Sequence, residues 1–122
     1  MENTVINEKT VCECDHVHLS DVCTTKRHMP KEEDITQLGE FFKVFGEASR
    51  LKILYFLYGR QLSVGEIAEG VGSTVSAVSH QLKILKNARL VKFRKEGKSC
   101  IYSLDDDHIS DILAEGMQHI SE

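Results

Sequence analysis

A mainly α fold of the α+β class, a winged helix-turn-helix with a two-stranded β wing, is what three features of this 122-residue chain predict. A short helical segment, a glycine-containing turn and a longer helix with a polar face follow one another over residues 63–87. A basic, alternating hairpin comes directly after, at 91–104. An amphipathic helix makes up the last stretch.

Composition agrees with a single soluble core, at 41% hydrophobic and 28% charged residues. No apolar run reaches the length a membrane span needs. The amino-terminal MENTVINEKTVCECDHVH is acidic and polar, so cytoplasmic residence is expected. The net charge of −4 argues against nucleic acid until it is mapped. Residues 76–100 carry seven basic groups (Lys83, Lys86, Arg89, Lys92, Arg94, Lys95, Lys98) against Glu96 alone. The preceding 75 residues carry 8 basic and 12 acidic groups, and the last 22 carry six acidic groups and no Lys or Arg. A local basic surface, not the total, is what phosphate binding requires.

In chain order, residues 1–31 lack a sustained apolar period and contain the only proline, Pro30. They read as a mobile arm carrying potential ligands, and 32–122 as the DNA-binding and dimerisation domain. Ile35, Leu38, Phe41, Phe42 and Phe45 recur at three- and four-residue steps, predicting a helix that ends near Gly46. A second helix is expected from about Ala48 to Tyr58, with Leu51, Ile53, Leu54, Phe56 and Leu57 mostly inward and Gly59 ending it. Ser63 with Glu66 three residues on has the pattern of a capping box, opening a short helix from Val64 to about Gly70. Gly72-Ser73-Thr74 makes the turn into a helix from Val75 to about Asn87, packed through Ala77, Val78, Leu82 and Leu85. Val91-Lys92-Phe93-Arg94 alternates, Glu96-Gly97 turns, and Ser99 to Leu104 returns. The last helix, Asp105 to about Ser121, gathers Ile109, Ile112, Leu113, Gly116, Met117 and Ile120 on one side, a candidate dimer seam.

A helix that reads the major groove needs small or polar exposed side chains, so that it can approach base edges. Ser73, Thr74, Ser76, Ser79, His80 and Lys83 offer that face. Lys83, Lys86 and Arg89 can neutralise phosphates near the helix end, while Arg94, Lys95 and Lys98 reach from the wing. His80 has two readings at this point, base contact or a hydrogen bond that fixes the local fold.

The stretch Phe42-Lys43-Val44-Phe45-Gly46-Glu47-Ala48-Ser49-Arg50-Leu51-Lys52-Ile53-Leu54 resembles a helix motif of the ArsR/SmtB family of metal-sensing repressors. So do Val75 to Lys83 and Leu90 to Lys98. The resemblance covers about residues 35–122, and it is nearest the zinc-sensing branch. It implies a homodimer on double-stranded operator DNA that represses a metal efflux or sequestration operon and leaves when metal binds.

Two clusters carry metal-ligand chemistry. Asp106, His108, His119 and Glu122 are nitrogen and oxygen donors suited to Zn2+, with Cd2+, Pb2+ and Co2+ as related ions. His108 and His119 are eleven residues apart, about 16 Å along a helix, so one copy cannot close a site with both. Two antiparallel copies can, each giving one end, and the resemblance implies an inter-subunit site of this composition. The plainer alternative is that Asp105, Asp106 and Asp107 cap the helix and His119 and Glu122 form a tail. The second cluster is Cys12, Cys14, Asp15, His16 and His18, with Cys23 and His28 beyond. In family members with an amino-terminal site, a cysteine of the short helix joins it. Ser63 and Gly65 stand at the matching positions here, leaving Glu66 as an oxygen donor, so this cluster is expected to act alone as a secondary, softer-metal site or a metal collector, or to be an inert tail.

Two other classes are weighed. A metal hydrolase needs a base beside an open coordination position, and no HExxH-like pattern occurs. A thiol redox switch on Cys12, Cys14 or Cys23 predicts release on oxidation, independent of His108 and His119. Cys100, among alternating apolar strand residues, reads as a small hydrophobe.

Overall fold

The computed structural model describes residues 21–122, so Cys12, Cys14, Asp15, His16 and His18 lie outside the described residues. The chain divides into two compact units, one ending at Gly39 and one comprising Glu40–Glu122.

Within the stretch read as an arm, Asp21–Arg27 form a helix, α1. Asp21 sits in its first turn and Lys26 and Arg27 in its last, each suited to the helix dipole. The Thr25 hydroxyl donates to the Asp21 carbonyl at 2.7 Å. Only Cys23 of this helix is buried, so no apolar period announced it. The next helix, α2, spans Glu32–Phe45 and starts on three acidic residues. Its expected stripe is unevenly used: Phe45 is buried, while Leu38 and Phe42 are exposed.

Helix α3, Ala48–Phe56, buries Ile53 and Leu54, and Leu57 follows them into the core. It stops two residues before the expected end because residues 57–59 turn. Leu62–Ser63 then form a two-residue strand, β1. Too short to show alternation, it escaped sequence reading. Helix α4, Val64–Val71, opens on the predicted capping box. Ser63 Oγ accepts from the Glu66 amide at 3.2 Å, and Glu66 Oε1 accepts from the Ser63 amide at 2.8 Å. Gly72 ends α4 in the left-handed conformation at φ 72°, which glycine adopts without a Cβ clash.

Helix α5 runs Val75–Asn87 and is capped by Thr74, whose Oγ1 accepts from the Ala77 amide at 3.0 Å. Val78, Leu82 and Leu85, spaced four and three apart, are buried, whereas Ala77, expected to pack, is exposed. Strands β2 (Val91–Glu96) and β3 (Ser99–Leu104) pair antiparallel from Val91↔Leu104 to Glu96↔Ser99. β1 adds to the far edge of β3, so the expected two-stranded wing is part of a three-stranded sheet ordered β1-β3-β2. Helix α6 spans Asp107–Ser121.

One core unites α3, α4, α5, the root of β2 and the first half of α6. Leu54, Leu57, Ile67, Leu82, Leu85 and Leu90 are fully buried, each contributing about 2 kcal/mol by removal from water. The packing fixes which face of α5 can meet a ligand. Its three buried residues point inward, and the opposite face is left to solvent.

Candidate DNA-reading surface and metal ligands

Ser73, Thr74, Ser76, Ser79, His80 and Lys83 are all exposed on and just before α5. Thr74 is committed in part, because its hydroxyl oxygen caps the helix. His80 is exposed and forms no hydrogen bond among the described residues. The cations of the wing and of the end of α5 differ from one another. Lys95 and Lys98 are exposed and unpaired among the described residues. Lys86 places Nζ 4.5 Å from the centre of the Phe93 ring, a cation–π contact that ties α5 to β2. Arg94 donates through Nε and Nη2 to Glu96 Oε2 at 3.1 and 2.6 Å, and through Nη1 to Gln61 Oε1 at 2.5 Å. Its guanidinium is therefore held across the sheet before any phosphate arrives.

A polar cluster that sequence reading missed joins the start of α3 to α5. Arg50 donates through Nε to the Val44 carbonyl at 2.9 Å and through Nη1 to Gln81 Oε1 at 3.4 Å. Gln81 Nε2 donates to Ser49 Oγ at 3.2 Å and to Glu47 Oε1 at 3.4 Å. The Ser49 hydroxyl bonded to Glu47, then the Arg50 charge, hold the Glu47 carboxyl below its usual range. The spacing of Glu47 and Arg50 is legible as a helical pair. Their meeting with Gln81 is not, since Gln81 lies 31 residues beyond Arg50.

At the start of α6, Asp106 Oδ1 accepts from the His108 amide at 2.9 Å and lies 3.3 Å from His108 Nδ1. These contacts, the His108 side chain first, pull the Asp106 carboxyl below the ordinary carboxylate range. The capping reading of Asp106 thus holds together with the pairing. The His108 side chain is 87% exposed, and His119 and Glu122 are exposed at the other end of the helix. Among the described residues of one chain no three His, Cys, Asp or Glu side chains gather as a metal site. Each chain offers a nitrogen–oxygen pair at either end of α6, which is the donor chemistry of zinc without enough ligands at one place.

The expected seam is split. Ile109 and Leu113 turn into the chain's own core, whereas Met117 and Ile120 are exposed, Ile120 to 74%. Together with Phe42, Leu51, Tyr55 and Ile112 these last two line an apolar groove of about 550 Å³. The Tyr55 hydroxyl donates to the Leu113 carbonyl at 3.0 Å and pins mid-α6 to α3.

Residues 48–92, from the start of α3 into β2, match the model of the arsR family of bacterial regulatory proteins. A transcriptional repressor SmtB homolog of Synechocystis is 35% identical over 94% of this chain and 87% of that one. A cadmium resistance transcriptional regulatory protein, a CadC homolog of Staphylococcus aureus, is 33% identical over 93% of this chain and 94% of that one. This chain belongs to the arsR family. The fold agrees: a crystal structure of Mycobacterium tuberculosis Rv0081 superimposes with a TM-score of 0.70 at 34% identity, covering 75% of this chain and 92% of that one. The family is one of winged helix-turn-helix transcriptional regulators rather than enzymes. In this arsR-family chain Glu66, the one oxygen donor left for an amino-terminal metal cluster, is engaged in the capping box. Cys23 is buried in α1. No described helix is long and apolar enough to cross a membrane.

Proposed function

We propose that this arsR-family protein is a cytoplasmic, metal-responsive transcriptional repressor. It binds operator DNA as a homodimer through α5 and the wing, and releases it when zinc or a related divalent ion binds at α6, freeing metal efflux or sequestration genes. The observation that carries the reading is the arrangement of α6. Asp106 and His108 stand exposed at its start, His119 and Glu122 at its end, and an apolar groove runs beside its second half. An antiparallel pairing of two such helices brings opposite ends together, so that the metal set is complete only between subunits. Metal binding is then linked to how the two α5 helices are oriented, and those must match successive major grooves about one helical turn apart. The names of the Synechocystis and Staphylococcus relatives, a repressor and a cadmium resistance regulator, support the same reading. Cys12, Cys14, Asp15, His16 and His18 are assigned a second, softer-metal role that does not control release.

The test is fluorescence anisotropy on a labelled duplex from upstream of the protein's own gene, with and without zinc. It compares wild type, His119→Ala and the double variant Cys12→Ser/Cys14→Ser. The expected result is tight binding by all three in the absence of zinc, and zinc-driven release lost in His119→Ala alone. Loss of the response only in the cysteine variant overturns the site assignment.

A further inference from the structure

Four described residues adopt a left-handed backbone: Gly59, Gly72, Gly97 and Arg89, the last at φ 65°. Arg89 is the one without glycine's freedom, and it closes the DNA-reading helix. Its backbone setting repeats that of Gly72. After α4, the Ser73 amide donates to Ala68 and the Gly72 amide to Glu69, at 2.9 and 3.3 Å. After α5, the Leu90 amide donates to Leu85 and the Arg89 amide to Lys86, at 2.9 and 3.0 Å. These are two copies of one helix-ending motif, whose left-handed residue is normally glycine because a Cβ there crowds the following carbonyl. The chain uses glycine in the first copy and arginine in the second.

Nothing inside the chain accounts for the difference. The Arg89 side chain is exposed and has no hydrogen bond or ion pair among the described residues. Arg50 and Arg94, by contrast, are both tied down. Helix-dipole compensation does not single out this residue, since Lys86 already occupies the last turn of α5. Arg89 stands between the recognition helix and the wing, in the stretch where basic groups outnumber Glu96 seven to one. We infer that Arg89 is a phosphate-contacting residue, its guanidinium held at the end of α5 for the DNA backbone at the expense of the backbone geometry there. An unpaired guanidinium matches a phosphate with two parallel donors, and such a contact adds affinity without reading sequence. A strained backbone kept at a ligand-facing position is the expected signature of that use.

The inference rests on the DNA-binding reading, and the test separates the two. Wild type, Arg89→Gly, Arg89→Lys and Lys43→Gln are titrated against the promoter duplex and a scrambled duplex of the same length, across a salt series. Melting temperatures are taken at one protein concentration. Arg89→Gly is expected to melt about 2–5 °C higher while binding both duplexes roughly three- to ten-fold more weakly, with the salt-dependence slope reduced by about one. Arg89→Lys, which keeps the cation but loses the paired donors, should bind between wild type and Arg89→Gly and keep the wild-type salt slope. Lys43→Gln, which removes the same charge from α2, should change neither slope nor affinity beyond about two-fold. Unchanged binding by Arg89→Gly overturns the inference, as does an equal loss in Lys43→Gln, which reduces the effect to net charge. A lower melting temperature for Arg89→Gly overturns the strained-backbone part of it. Wild type binding neither duplex fails the DNA-binding reading itself, a different result from loss confined to the variant.

Discussion

Gly70, in the last turn of α4, is the position where one added carbon should do most damage. A Cβ built there would lie 1.9 Å from Phe56 Cζ and 2.2 and 2.6 Å from its two Cε atoms. Carbon atoms at rest sit about 3.5–4 Å apart, so the ring must leave its place or α4 must lift from α3. Phe56 is half-buried at the end of α3, and its ring is rigid, so yielding is costly. Forcing a methyl into such a contact costs about 1–3 kcal/mol. Replacing glycine by alanine within a helix returns about 0.5–1 kcal/mol. Gly70→Ala is therefore expected to lose about 1–2 kcal/mol, read by urea denaturation. Because α4 is the support against which α5 packs, operator affinity should fall as well. The decisive comparison is a double-mutant cycle with Phe56→Leu, whose smaller side chain leaves room for the new methyl. Gly70→Ala should be neutral or stabilising in that background, giving a coupling of about 1 kcal/mol or more. Equal losses in both backgrounds, or a wild-type-like single variant, would refute the steric account.

Two further expectations follow from the polar contacts. Glu96→Gln releases Arg94 from its carboxylate and removes the only acidic group of the basic segment. Because the pair is half exposed and worth less than about 1 kcal/mol, operator affinity should rise only two- to five-fold, with a steeper salt dependence by anisotropy. No gain, or a loss, would show that the ion pair shapes the wing instead of withholding Arg94. Glu47 gives a pH dependence whose sign is set by its depressed pKa. Its stabilising contribution is complete above the ordinary glutamate value of about 4.3 and is lost as pH falls through the lower folded value. The urea midpoint of Glu47→Gln should therefore lie below that of wild type at pH 6 and converge with it as pH falls below about 4. A constant offset across that range would contradict the network around Gln81.

Much of the fold is local chemistry, and the sequence alone decided it. The bounds of α5, Val75–Asn87, follow from its apolar spacing and the turn before it. The capping box at Ser63 and Glu66 needs only a three-residue separation, and β2 only its alternation before the turn at Gly97. The seven-to-one basic stretch is likewise present in the residues themselves. What the tertiary structure decided was what each side chain meets. Ile109 and Leu113 share a helical stripe with Ile120, and only the tertiary packing determines that the first two enter the core while the third stays outside. Arg94 and Lys86 carry the same charge as Lys95, yet Gln61, 33 residues before Arg94, and the Phe93 ring engage two of the three through tertiary contacts. The left-handed turn at Arg89 was hidden for a similar reason, since a non-glycine residue gives no sign of positive φ until the chain must turn back toward the wing. Periodicity along a chain reports which face is apolar. It carries no information on which neighbour that face will find, because that neighbour arrives from dozens of residues away.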